Sequence, residues 1–259
     1  MSKILITGTS KGLGRATALE LTKRGHEVVA TARNVDTLAD LPVAARVALD
    51  VTSDESVRRA LAEVGPVDVL LNNAAEIVVA PLETVPFEEI RRLYEINVFG
   101  PLRTIQAWAP GMRARGAGTI VNISSVVGRM GLPLTGIYCS TKWALESLSE
   151  TLRIELGHFG VQVVVIEPGQ IGTGALDSPR AFFDPDDAYL PLAARKRTPR
   201  EEMTTPEVIA HVIADAIESK ENRFRWPAGA DAEALLAARA KLDDAGFDQA
   251  LRSAMHIDW

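Results

Sequence analysis

Cysteine is almost absent: Cys139 is the only one in 259 residues. An internal disulfide is therefore excluded, and the redox compartment is only weakly constrained. A basic excess is also missing. The formal net charge is −6, so general attraction to nucleic acid or to an anionic membrane is not expected. No stretch is long and apolar enough to span a bilayer. Met1 leads almost at once into a strand-like run, so no signal peptide is expected. Internal repeats, low-complexity tracts and linker-like breaks are not found either. The expectation is a soluble cytoplasmic protein with one domain over 1–259, its 47% hydrophobic content filling one sizeable core.

What is present is a rhythm. Short, nearly continuous apolar runs, "KILIT", "EVVATA", "RVAL", "VDVLLNN", "GTIVNIS" and "VQVVVIE", alternate with helical stretches. Strands of that kind are buried on both faces, and their alternation with helices predicts right-handed crossovers. The fold class expected is α/β, a doubly wound parallel sheet with helices on both faces. Residues 170–205 break the rhythm with Pro, Asp and interleaved aromatics, which reads as a substrate loop or lid. Beyond them "TPEVIAHVIADAIES" resumes a helical period, "RFRWPAG" offers a last short strand, and 228–259 reads as a helical tail.

The first strand runs into "TGTSKGLGRATALEL". Gly8 can take the backbone angles of a tight turn. Gly12 and Gly14 leave room for a pyrophosphate to approach and for the next helix to pack closely. The helix that follows aims its free N–H groups and positive dipole end at phosphates. This is the arrangement of a Rossmann-type dinucleotide site. Asp50 and Val51 close the third strand, where a carboxylate can accept from an adenine amino group or cap the next helix, with Ser53 and Asp54 competing for that cap. "NNAA", Asn72 to Ala75, ends the fourth strand; asparagines there can tie strand ends together, and small residues leave room for a ribose.

"NISSVVGRMGLPLTGIYCSTKWALESL" places Tyr138 and Lys142 four apart at a helix start, hence on one face. A tyrosine normally ionises near a pKa of about 10. A neighbouring ammonium, a cationic nicotinamide and a helix N-terminus all favour phenolate, so a lowered pKa is expected, making Tyr138 a general acid/base. Ser125, thirteen residues earlier at a strand end, can hold a carbonyl oxygen. Cys139 reads as a packed thiol.

Taken together, "TGTSKGLG", "NNAA", the Asn of "YEINVFG", the Ser125–"YCSTK" spacing and "PGQIGT" resemble the short-chain dehydrogenase/reductase family, over roughly residues 3 to 173. Ala75 departs from the family's usual glycine. The resemblance implies catalysis by Asn97, Ser125, Tyr138 and Lys142: Ser125 orienting the carbonyl, Tyr138 exchanging the proton, Lys142 binding nicotinamide ribose and Asn97 holding a relay water. Ser124 is the competing serine. It also implies a cofactor site of Gly8, Ser10, Lys11, Gly12, Leu13 and Gly14, then Arg33, Asp50, Val51, Asn73, Ala74 and Ala75, with Tyr138, Lys142, Pro168, Gly169, Ile171 and Thr173. No metal is implied.

NAD-preferring members end the second strand with an acid that meets the ribose 2′-hydroxyl. Here Ala32 stands at that place, Arg33 follows, and Lys11 adds a charge from the turn. The pair predicts NADP (NADPH) as cofactor, with NAD possible. The substrate expected is a small-molecule secondary alcohol or carbonyl compound. Phe182, Phe183, Tyr189, Leu190 and Leu192 suit an apolar or aromatic one, or simply anchor the lid, and "FRWPAGADAE" resembles the tails of members acting on lipid-like compounds. Phe99, Trp108 and Trp143 lie on long helices with apolar residues beyond one stripe. Such helices pair across a two-fold in the resembled family, so a homodimer or homotetramer is expected; the alternative is that these side chains serve the internal core. The alternatives are a catalytically silent dinucleotide-binding regulator, or an enzyme of another class on this scaffold such as a dehalogenating lyase.

Overall fold

The computed structural model describes residues 1–172, 180–184, 186–194, 203–255 and 257. β1 (Lys3–Ile6) leads through the glycine turn into α1 (Gly12–Lys23), then β2 (Glu27–Ala32), a 3-10 turn, β3 (Ala45–Ala48) and α2 (Asp54–Val64). Ser53, not Asp54, caps α2: its hydroxyl accepts from Ser56 N. β4 (Val69–Asn72) and β5 (Val78–Val79) follow. A long helical run is then made of α3 (Phe87–Tyr94), a π-helical turn at Glu95–Phe99 and α4 (Gly100–Arg115). β6 (Gly118–Ile123), α5 (Gly136–Gly157), β7 (Val161–Pro168), β8 (Arg180–Ala181) and the short α6 (Leu190–Ala193) come next. α7 (Pro206–Glu218), β9 (Arg225–Ala228), α8 (Ala230–Lys241) and α9 (Asp244–Ala254) complete the described chain.

Seven strands form one parallel sheet in the order β3-β2-β1-β4-β6-β7-β9. The chain winds outward from β1 in one direction, then returns past it to β4, and this reversal opens a crevice at the carboxyl ends of β1 and β4. Strand alternation divides the core. Leu5, Val29, Leu70, Ile120 and Val163 face Val57, Trp108, Met112 and Leu156 on one side. Ile4, Ile6, Val28, Leu71 and Val121 face Leu13, Leu21, Ile209 and Ile213 on the other. The strand on "RFRWPAG" and the helical tail are both present.

Within 170–205, β8 pairs in parallel with β5, Val78 with Arg180 and Val79 with Ala181, and α6 follows. Two-residue strands are too short to show a period. Trp108 does not stand outside the core; it is 3% exposed, and its indole Nε1 donates to Gly65 O at 3.0 Å. Phe99 and Trp143 are exposed as expected, at 45% and 50%. Among the described residues, no helix is long and apolar enough to cross a membrane.

Candidate active site

The glycine turn sits at the crevice. Gly8 and Gly12 adopt φ of +72° and +57°, the left-handed region that glycine enters at little cost. Gly14 serves close approach: a Cβ there lies 2.3 Å from Gly8 O and 2.4 Å from Asn73 Nδ2. Asn73 braces the turn from the end of β4, its amide donating to Thr7 O and Gly8 O at 2.9 Å each. That amide is engaged in building the turn. Thr7 Oγ1 accepts from Asn73 N and Ala74 N, at 2.9 and 3.0 Å, fixing Ala74 against Gly8. Ala75 is exposed, so its extra methyl costs no buried space.

Lys11 is the N-cap of α1 and makes no side-chain capping bond, which leaves the first-turn N–H groups of Leu13 and Gly14 directed at the crevice. Ser10 precedes it on the exposed lip. Arg33 extends into solvent, 74% exposed, with Nη2 3.9 Å from Glu76 Oε1. Ala32 beside it is buried at the end of β2. Asp50 Oδ1 accepts from Thr52 N and Oγ1, at 3.0 and 2.8 Å, and Val51 is buried.

A buried polar chain joins the elements that carry the other candidate residues. Thr104 Oγ1 donates to Asn72 Oδ1 at 2.6 Å, Asn72 Nδ2 to Asn122 Oδ1 at 2.9 Å, and Asn122 Nδ2 to Ser149 Oγ at 2.8 Å. It stitches α4, β4, β6 and α5 together at a fixed register. Asn97, in the π-helical turn, acts as a second brace. Its Oδ1 accepts from Glu76 N at 2.9 Å, and its Nδ2 donates to Glu76 O at 2.9 Å and Thr141 Oγ1 at 3.1 Å. A π-turn widens the helix where a side chain must reach a site.

α5 begins at Gly136, so Tyr138 and Lys142 lie in its first two turns, one above the other. Ser125 follows the end of β6. Its Oγ donates to Pro168 O at 3.3 Å and accepts from Val127 N at 3.4 Å, and it lies near enough to Tyr138 to favour the ionised phenol. Ser124 turns inward. Its Oγ is buried without a hydrogen-bond partner, beside the space that a Gly128 Cβ would share with Glu146. The geometry thus brings Ser125, not Ser124, to the tyrosine. Lys142 Nζ donates to Ile123 O at 2.8 Å and lies 5.7 Å from the Tyr138 ring centroid. Cys139 is buried beside Val126, Val127 and Met130, a packed thiol.

The electrostatics differ from expectation. Burial pushes the Tyr138 phenol well above its ordinary value and Cys139 adds to this, while Ser125 opposes it. The ammonium lies near the ring and faces Ile123 O, so it offsets little of that burial. Burial also pulls Lys142 down to about 8, against the raising influence of Glu146. Glu146 itself is buried and meets Arg225 Nε at 2.9 Å. Glu167, raised by burial and by Glu146, is 3.3 Å from Arg129.

At the far rim, Pro168 ends β7 opposite Ala228, and Ile171 bridges to Thr204. Thr173 lies outside the described residues. Of the aromatics in 170–205, Phe182 packs against the cluster of Val78, Ala80, Val85 and Leu93, as Tyr138 also does. Tyr189 and Leu192 line a cavity of about 490 Å³ with Pro81, Leu82, Glu83, Pro133 and Leu134. Leu134 has φ +62°, the one non-glycine residue in that region among those described, and Ala80 N donates to its carbonyl at 2.8 Å. The cavity wall at Leu134 is therefore held by a strained, hydrogen-bonded turn. Sequence reasoning foresaw that asparagines at the end of β4 tie strand ends together, as Asn72 does to Asn122, but missed the extension of that chain to Thr104 and Ser149, Leu134 and Glu146; none has a local signal, since each depends on neighbours distant in the chain.

Residues 2–182 match the family profile described as short chain dehydrogenase. Human 17-beta-hydroxysteroid dehydrogenase type 1 is 35% identical over 249 residues, 86% of this chain and 76% of its own. The 3-ketodihydrosphingosine reductase of Bacteroides thetaiotaomicron is 34% identical over 260 residues, 96% of each chain. A short chain dehydrogenase of Burkholderia cenocepacia J2315, solved in complex with NADP, superimposes with a TM-score of 0.80 at 26% identity, over 99% of this chain and 98% of its own. Other solved neighbours are in complex with NAD.

Proposed function

The chain belongs to the short-chain dehydrogenase/reductase family, and from that premise we propose that it interconverts a secondary alcohol and a ketone on an apolar substrate, preferring NADP over NAD. The observation that carries the reading is the convergence of Ser125, Tyr138 and Lys142 at the same end of the sheet as the glycine turn. Relatives named dehydrogenases and reductases give no support to a silent regulator.

The residues fit a dinucleotide: a turn that a Cβ at Gly14 would fill, and a helix start without a side-chain cap. Gly8 to Gly14, Asp50, Val51, Ala74 and Ala75 would hold its adenosine and pyrophosphate, and Pro168 to Thr173 its nicotinamide. When bound, it supplies or accepts the hydride. Ser125 holds the substrate oxygen. Tyr138 donates its phenolic proton to that oxygen in reduction and recovers it in oxidation. Lys142 presents its ammonium beside the phenol and to the ribose, and Asn97 keeps the loop at Glu76 in place for the relay.

NADP preference rests on Ala32, which places no carboxylate against a 2′-phosphate, and on exposed Arg33 and Lys11, which suit a charge-assisted clamp. An apolar substrate is supported by the cavity that Pro81, Leu82, Pro133, Leu134 and Leu192 line, with Glu83 and Tyr189 as its polar groups. Two similar proteins named for a steroid and a sphingoid base point the same way.

The test is nicotinamide absorbance with NADPH or NADH and a panel of ketones and alcohols. Turnover is expected with NADPH, and Tyr138→Phe is expected to lose about 10²–10⁴-fold in kcat while retaining nucleotide binding. Wild-type turnover in that variant would remove Tyr138 from the mechanism. Ala32→Asp with Arg33→Ala is expected to shift kcat/KM toward NADH; an unmodified enzyme already favouring NADH defeats the cofactor assignment.

A further inference from the structure

Asp231 stands in the first turn of α8, well beyond the end of β7 at Pro168. An aspartate there is favoured by the helix dipole alone, but its surroundings ask for more. Oδ2 accepts from Gln170 N at 2.7 Å, and Oδ1 accepts from Thr204 Oγ1 at 3.4 Å. Thr204 is also tied to the chain leaving β7: Thr204 N donates to Gln170 O at 3.1 Å, and Gly172 N donates to Thr204 O at 3.0 Å. One carboxylate thus grips both the departing and the returning end of the 170–205 segment.

Two glycines make room for it. A Cβ on Gly169 would lie 2.1 Å from Asp231 Oδ2 and 2.4 Å from Oδ1. At Gly229, with φ +107°, a Cβ would lie 2.8 Å from Oδ1. A carboxylate that served only the helix start would not be packed against the backbone of a neighbouring strand end.

We infer that Asp231 is a positioning residue for the nicotinamide end of the site, setting the backbone of Gly169–Ile171 from outside the sheet. The inference rests on the reading above, in which Gly169 and Ile171 face the nicotinamide. It predicts an effect confined to that half of the cofactor. The glycine turn and Arg33, at the adenosine half, make none of these contacts.

The experiment compares calorimetric binding of NADPH with that of adenosine 2′,5′-bisphosphate, which lacks the nicotinamide. NADH against ADP replaces the pair if the preference runs the other way. Asp231→Ala is expected to weaken the full dinucleotide by about 10–100-fold, the loss of a hydrogen bond to a charged group, and to leave the fragment unchanged. Asp231→Asn, which keeps an acceptor for Gln170 N, should recover most of that loss. Gly169→Ala, which displaces the carboxylate from the other side, should show the same selective loss and serves if Asp231→Ala does not fold. Equal weakening of dinucleotide and fragment, or no weakening of either, overturns the positioning role. A wild-type protein that binds neither nucleotide defeats the functional reading beneath it.

Discussion

Lys142 is among the largest side chains that the fold buries completely, and it is charged in its ordinary state. Its pKa falls from 10.5 to about 8, burial being the larger influence and Glu146 the smaller, opposing one. A folded value below the unfolded one means that the unfolded chain binds the extra proton. Lys142 therefore costs stability in full below about pH 8, and that cost fades as pH rises toward 10.5. The gap corresponds to about 3 kcal/mol. Lys142→Met removes the charge but also the hydrogen bond to Ile123 O, worth about 1 kcal/mol. A net gain of about 1–2 kcal/mol in urea unfolding at pH 7 is expected, shrinking at pH 10, together with loss of turnover. A destabilised variant at pH 7 would show that the buried ammonium is better satisfied than its surroundings suggest. At this scale the sequence was informative where chemistry is local. That Tyr138 and Lys142 share the start of one helix and that Ser125 follows a strand end was legible from their spacing. The direction of the phenol's shift was not, because it depends on how deeply α5 is packed.

Among the elements, seven strands, the glycine turn and the later helices could be read from apolar runs and turn residues. The β5–β8 pair could not, because what holds it is distant in sequence. Arg180, at the start of β8, meets the Glu89 carboxylate of α3 through both Nε, at 3.0 Å, and Nη2. Arg92 joins the same carboxylate at 2.9 Å and reaches on to Glu76, so an ionic chain runs from Glu76 to β8. Burial pushes the Glu89 carboxyl up, but Arg180 and Arg92 outweigh it and hold it below its ordinary 4.5. Its contribution is thus present above that value and is lost as pH falls through the lowered one. Glu89→Gln is expected to cost about 1–2 kcal/mol at neutral pH and to speed hydrogen exchange at Phe182 N, which donates to Val79 O. The stability difference from wild type should narrow toward pH 3. A difference that persists unchanged there would mean that Glu89 acts through packing rather than charge.

For the whole molecule, the unsettled surface lies where α5 packs against the π-helical turn and α3. Phe99 in that turn and Trp143 in α5 are 45% and 50% exposed, and Phe87 at the start of α3 is 73% exposed. Trp108, first grouped with them, belongs to the core, which removes one of three aromatics from the expectation but leaves the pattern. Large apolar side chains scattered singly are ordinary on a surface; several on adjoining helices suggest a covered face. Both helices run antiparallel to a parallel sheet, so a two-fold pairing would bring like elements together in a closed, self-complementary interface. A stable one needs about 1,000 Å² or more in total, which two long helices per protomer can supply. We expect light scattering at micromolar concentration to give the mass of a dimer or tetramer of this 27.9 kDa chain. Phe99→Glu with Trp143→Glu should shift it to monomer, since each introduced carboxylate would be buried against its symmetry mate without a partner. Because Trp143 directly follows Lys142, the monomer is also expected to lose stability at the start of α5 and, with it, part of its turnover. A monomeric wild-type mass would assign both aromatics to the free surface.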